Sequence, residues 1–363
     1  MMKIIGSGVV SRGLAGDVRG AVTGVLTGFL LCCVAVPSLG HDISARMVEH
    51  TTALIDATAG LPQVINPGTL RYSFDDSERV DLDFVPKAMQ APRGMAIGNM
   101  PLPARLAAHD LLRDVLSEQG YLLANHIMLM DDVLRHSETW SAARLSDDYR
   151  YEVFGEPGPE SPWGWKVEGH HLSVNVTSLG DEVRATPLFL GTNPALVAAG
   201  PRAGLRIMVP HQAAGLALLA SLNDMQLARA HTAADVGRGG LQRGARQPQA
   251  GSGVSAALFD DAQLALVETL LETWARSLRA DLAITELAEI RNSGLEQLTF
   301  EWRGSLDPTL RHYWALRGPN VVIEFDALPN AGSEKVNHLH SVWSNPERDY
   351  GVDLLQRHYQ EDH

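Results

Sequence analysis

In two separated parts of the chain, around residues 150–190 and 299–343, apolar side chains recur at every second position between glycine and proline turns. A period of two places successive side chains on opposite faces, so these parts are committed to strands rather than helices. YRYEVFGEP, WGWKVEGHHLSVNVTS and EVRATPLFLG are three strand candidates in the first part. TFEWRG, RHYWALRGPNVVIEFDAL and VNHLHSVW make up the second. The GPN in LRGPNVV is a turn signal between two alternating runs, which predicts a β-hairpin over 311–326.

Helical spacing occupies most of the remainder. ARLAAHDLLRDVLSEQG, with leucines at 106, 111, 112 and 116 on one face and Gly120 as its stop, predicts one helix; YLLANHIMLMDDVLRHSE predicts another. Further helices are expected at 43–59, at PHQAAGLALLASLNDMQLARAH, at FDDAQLALVETLLETWARSL, over 281–292 and at the terminal DYGVDLLQRHY. RYSFDDSERVDLDFVP alternates as short strands, and DVGRGGLQRGARQPQAGSG lacks any core pattern, which predicts a flexible insertion loop at about 235–253. The fold class expected is α+β: a mostly antiparallel sheet packed with helices in a single large domain, residues 41–363.

Residues 1–40 stand apart. Lys3, Arg12 and Arg19 precede AVTGVLTGFLLCCVAV, about sixteen uncharged residues, and Ser38 and Gly40 occupy the −3 and −1 positions of a cut before His41. The stretch is short of the roughly 20 residues a membrane-spanning helix needs. It reads as a signal peptide, which makes the protein exported, periplasmic or extracellular, with no stable membrane anchor after processing. Both cysteines, Cys32 and Cys33, fall inside that segment. A processed chain therefore has no disulfide, thiolate metal site or cysteine nucleophile. Processing also removes three positive charges and one negative, taking the formal net charge from −13 to −15. An acidic body without basic clusters excludes nucleic acid as a partner and leaves a small-molecule substrate or ligand.

Fourteen histidines carry most of the remaining chemical signal. In VNHLHSVW the period of two puts His338, His340 and Val342 on one face and Leu339, Ser341 and Trp343 on the other. Two imidazoles so placed either converge on one metal ion or are hydrogen-bonded or exposed at a sheet edge. In VVIEFDA, Glu324 and Asp326 lie opposite Ile323 and Phe325. Glu324 is then either on a solvated face or a buried partner of histidine or metal. If the HLH strand pairs with this one, Glu324 comes near both histidines. In GHHLSVNVT, His170 shares the face of Leu172 and Val174 as a packing residue. His171 shares that of Ser173, Asn175 and Thr177 and faces the pocket. Trp165, Asn175 and Arg317 are candidate substrate contacts, Arg317 for a carboxylate, against the plainer reading of core aromatics and a solvated arginine. His211, beside Pro210 at a helix start, reads as structural. No GxSxG elbow, P-loop, HExxH or EF-hand loop is present.

Taken together, GHHLSVNVT, PLFLGTNPA, YLLANHIMLMDDVLR and RGPNVVIEFD…NHLHSVW…DYGVDLL resemble the family catalogued as domain of unknown function 3500, over roughly residues 45–360. The resemblance implies that His170, His171, Glu324, His338, His340 and Asp349 belong together, and it implies no reaction. The leading expectation is an exported metalloenzyme, a hydrolase or oxidoreductase acting on a small molecule. Its divalent ion (Zn, Fe or Cu) is held by His338, His340 and His170 or His171, with Glu324 and His171 catalytic. The rival expectations are a periplasmic small-ligand-binding protein without catalysis, and copper chelation by an N-terminal His41.

Overall fold

The alternating stretches form strands, and the two parts of the sequence that carry them merge into one sheet. The computed structural model describes residues 39–61, 69–86, 93–137, 144–234, 253–330 and 332–361. Residues 1–38, most of the stretch expected to be a signal peptide, and residues 235–252 of the expected insertion loop lie outside the described residues.

The first half comprises α1 (Leu39–Thr58), β1 (Arg71–Tyr72), β2 (Met95–Ala96), α2 (Leu102–Val115) and α3 (Glu118–Ser137). It continues with β3 (Arg150–Phe154), β4 (Trp163–Gly169), β5 (Leu172–Leu179), β6 (Glu182–Arg184) and β7 (Leu188–Thr192). Then come α4 (Val209–Ser221), α5 (Asp224–Ala230), β8 (His231–Thr232), β9 (Val254–Ser255), α6 (Asp261–Ala275) and α7 (Ala280–Ser293). The chain ends with β10 (Thr299–Gly304), β11 (His312–Gly318), β12 (Val321–Pro329), β13 (Val336–Ser344) and α8 (Val352–Glu361).

The strand order is β1-β3-β4-β5-β7-β13-β12-β11-β10-β8, with β2, β6 and β9 added on β3, β5 and β10. Pairing is antiparallel except for β1 on β3 and β8 on β10. The α+β expectation holds. Its decisive joint is β7 against β13, where His340 pairs with Gly191 and Val342 with Phe189. Cross-strand partners share a face, so two surfaces follow from the register. One carries Leu172, Val174, Leu188, Leu190, Phe325, Leu339 and Trp343 and joins the helices in the main apolar core. Here the indole N–H of Trp274 on α6 donates to Ser341 Oγ at 2.8 Å. The other carries Ser173, Phe189, Val342 and Glu324 in one row, and Gly191, His340 and Asp326 in the next.

Several boundaries differ from the sequence expectation. WGWKVEGHHLSVNVTS is two strands, because His170 and His171 form the tight turn between Gly169 and Leu172. The residues 72–84 are not a pair of strands. Beyond Tyr72 the chain makes a 3₁₀ turn over Ser77–Val80, capped by the Asp76 carboxylate on Glu78 N–H. Leu82 and Phe84 still alternate inward and pack on Phe189 and Val342, but their backbone joins no ladder. Gly120 does not stop a helix: it lies inside α3, where a Cβ would come within 2.0 Å of the Ser277 carbonyl oxygen. The break falls earlier, at Leu116 and Ser117, and Ser117 Oγ accepts the Gly120 N–H. Leu106 leaves the buried leucine face, at 57% exposure. The long helix expected at 210–231 is split by a capping box in which Asn223 and Gln226 satisfy each other's backbone N–H.

Candidate metal centre

A two-residue turn must reverse the chain within a few ångströms, and one of its residues commonly takes a left-handed backbone. Here that residue is His171, at φ 68°. A non-glycine residue pays for this conformation, and such outliers gather at functional sites. His171 is pinned on both sides: its N–H donates to the Phe84 carbonyl at 3.0 Å, and its carbonyl accepts from Gly191 N–H at 2.8 Å.

The turn delivers the His171 ring to the strand joint. Its Nε2 lies 2.7 Å from Nε2 of His338, which lies 2.9 Å from Nε2 of His340. One ligand nitrogen from each of the three falls within 4.8 Å of the others, so the group can hold a metal ion. Phe84, stacked on Phe189 at 4.2 Å, sets its edge against His340 at 5.2 Å, and gives the group one apolar wall.

The electrostatics favour neutral ligands. Burial, then the neighbouring His170, His338 and His340, hold His171 well below the usual histidine range. Burial and nearby positive groups push His338 down to about 3 and His340 well below its ordinary value. A neutral imidazole nitrogen carries either one hydrogen or one lone pair. His338 Nε2 touches two other nitrogens and can complete a conventional hydrogen bond with one of them. A cation facing three lone pairs resolves that mismatch, and imidazole suits zinc, copper, iron and nickel. At tetrahedral zinc, nitrogens stand about 3.4 Å apart, so an ion would part these rings by roughly 0.5–0.7 Å from their 2.7 and 2.9 Å separations.

Gly191 makes the approach possible. A Cβ there would lie 2.9 Å from the Leu339 carbonyl oxygen, 3.1 Å from His171 Cδ2 and 3.2 Å from His340 Cδ2. Gly191 lies within PLFLGTNPA, and a glycine inside an apolar strand is itself a sequence signal of close approach by another group.

His170 turns to the helix side. Its Nδ1 lies 2.6 Å from Asp131 Oδ1 on α3, Tyr149 O–H donates to the same carboxylate at 2.8 Å, and Arg144 lies against the ring. The His170 and His171 rings nevertheless remain 3.7 Å apart, centre to centre. His170 is thus a neighbour of the three-nitrogen group and outside it.

The other expected residues lie elsewhere. Glu324 does share the histidines' sheet face, but it pairs with Val342, about 7 Å along the strand from the His340 row. It accepts hydrogen bonds from the Tyr313 hydroxyl and Arg317. Burial raises its pKa, with Tyr313 and Arg317 opposing. Arg317 is also bonded to Glu301, which engages the guanidinium that was to hold a substrate carboxylate. Trp165 is 1% exposed on the core face against Tyr151. Asn175 is buried and donates to Ser173 Oγ and the Pro187 carbonyl. Asp349 bonds Ser344 and Asn345 beyond the far end of β13, about 13 Å or more along that strand from His340.

No curated protein and no solved structure proved similar to the chain. The comparison with known families is positive across residues 44–352, and on that match the chain belongs to the family described as protein of unknown function, DUF3500.

Proposed function

We propose that the protein is an exported, metal-dependent hydrolase acting on a small molecule, with the ion held by His171, His338 and His340. The observation that carries the reading is the convergence of three neutral Nε2 atoms on one point. Three neutral ligands leave a dication its full charge, which acidifies a bound water toward neutral pH. The protein's own part is to hold the three rings: His171 by its clamped backbone, His338 and His340 by the β12–β13 ladder, and His340 again by Phe84 and Phe189. The His170–Asp131 pair lies beside the group, with the His170 ring in tilted contact with that of His171. Glu324 takes no catalytic part in this reading.

Export is proposed from the leader-like pattern of residues 1–40 and from the confinement of both cysteines to it. Among the described residues no helix is long and apolar enough to cross a membrane.

The test is metal content, by mass spectrometry, of protein purified without a histidine tag, beside the His338→Ala/His340→Ala double variant. Near-stoichiometric zinc in the parent and its loss in the folded double variant is the expected result. A metal-free parent that refuses added zinc, copper and iron ends the metal reading. Recovery of copper or iron with a redox-active spectrum replaces the hydrolase with an oxidoreductase. Fractionation and N-terminal sequencing of the secreted chain, expected to begin at His41, test export.

A further inference from the structure

The three-histidine group is flanked by two arginines. Arg144, ahead of β3, sets Nη1 3.0 Å from Nε2 of His170, while Asp131 holds Nδ1 of the same ring at 2.6 Å. The His170 ring in turn lies 3.7 Å from that of His171. Arg311, ahead of β11, stands across β13 from that turn. Its Nη1 donates to the Asp326 carboxylate and to the Ala327 carbonyl, and Asp326 is the cross-strand partner of His340 on the histidine face. Both arginines act on His338, where with His170 they add to burial in keeping the ring uncharged.

Charge narrows what such a site can receive. Among the described residues no carboxylate belongs to the three-nitrogen group. The carboxylates that adjoin it are already paired, Asp131 with His170 and Asp326 with Arg311. A dication on three neutral imidazoles therefore keeps both its charges. Guanidinium groups beside a cation weaken its hold unless an anion joins them. The chain as a whole carries a formal net charge of −13, so an anion has to be recognised by local groups and not by the long-range field. The group can be reached from solvent: His338, His340 and Phe84 are partly exposed, and the Arg311 side chain is 21% exposed. Phe84, stacked on Phe189, turns an apolar ring toward His340.

We propose that the substrate of this centre is a small organic oxyanion, its carboxylate or phosphate group held between the ion and the guanidinium groups of Arg144 and Arg311, its apolar body against Phe84. The proposal rests on the metal reading and adds the substrate class to it.

Benzoate is the test probe, with benzamide as its uncharged counterpart of equal shape and phenylphosphonate to tell phosphate from carboxylate recognition. Calorimetric titration of the metal-loaded full chain is expected to show benzoate or phenylphosphonate binding at least about tenfold tighter than benzamide. Arg144→Gln is expected to lower anion affinity about tenfold or more, with metal content and benzamide binding as in the parent. A metal-loaded parent that binds benzamide as tightly as the anions, or binds none of the three, overturns the substrate class and leaves the metal reading standing. Unchanged anion affinity in metal-loaded Arg144→Gln overturns it too. A parent that holds no metal ends both. Should Arg144→Gln not fold, the cobalt-loaded parent decides. A change in its visible spectrum with either anion and none with benzamide supports the proposal, and a spectrum unmoved by the anions refutes it.

Discussion

Gly191 and His171 act on the same few ångströms from opposite directions. Gly191 leaves room by having no side chain, and His171 reaches the room by holding a backbone that favours glycine. Substituting Gly191→Ala forces a methyl group against two imidazoles and a carbonyl oxygen. We expect it to cost about 1–3 kcal/mol of stability and to lower metal affinity roughly 10–100-fold, read by denaturant unfolding and competitive metal titration. His171→Gly and His171→Ala are both expected to lose the ion. They should separate in stability, because alanine keeps the left-handed strain and glycine relieves it: about 1 kcal/mol in favour of glycine in the metal-free state. Equal stability of the two would remove strain from the account of this turn. Neither residue stands out by period: GHHLSVNVT scans as continuous alternation although its second and third residues are a turn. In the fold the His170 ring bonds Asp131 while the His171 ring meets His338.

At the scale of elements, β12 and β13 pair as the spacing suggested, and that pairing separates Glu324 from the histidines. Antiparallel register sets Asp326, and not Glu324, opposite His340, and Asp326 is engaged by Arg311. Glu324 instead completes a buried group with Tyr313, Arg317 and Glu301. Glu324→Gln should therefore leave metal content unchanged while costing about 1–3 kcal/mol, since Arg317 loses one of its two carboxylate partners. Loss of metal in a folded Glu324→Gln variant would return the glutamate to the site. Residues 81–86 illustrate the opposite limit of pattern reading. Leu82 and Phe84 alternate because one side faces the sheet, yet the backbone's partners include His171 N–H, the Lys166 ammonium and the Glu168 carboxylate rather than a neighbouring strand. Burial periodicity reports which side is covered and carries no information on which groups the backbone bonds.

For the whole molecule, burial of neutral histidines on the helix side predicts a characteristic acid response. His211 is held to about 4 in the folded chain against an ordinary 6.5. Its unfolded form binds the proton first as pH falls, so the associated stability is complete above about 6.5, declines toward 4, and is gone below it. The amount is on the order of 3 kcal/mol. Urea unfolding from pH 7 to 4 should show this decline in the parent and a shallower one in His211→Phe; parallel profiles would refute it. The sequence alone determined where the longer strands lie, though not the breaks at His170–His171 and between β6 and β7, together with most of the helices and the α+β class, because these follow from side-chain period and local turn chemistry over a few residues. It also set the HLH pair on one face. The tertiary structure alone decided that β7 joins β13, and with it that His171 meets His338 and His340, residues about 170 apart in sequence, while Glu324 and Asp349 stay away and His170 borders the group without joining it. Register between distant strands depends on the packing of whole faces and on a glycine that lets two rings approach, and neither is encoded within any single stretch of the chain.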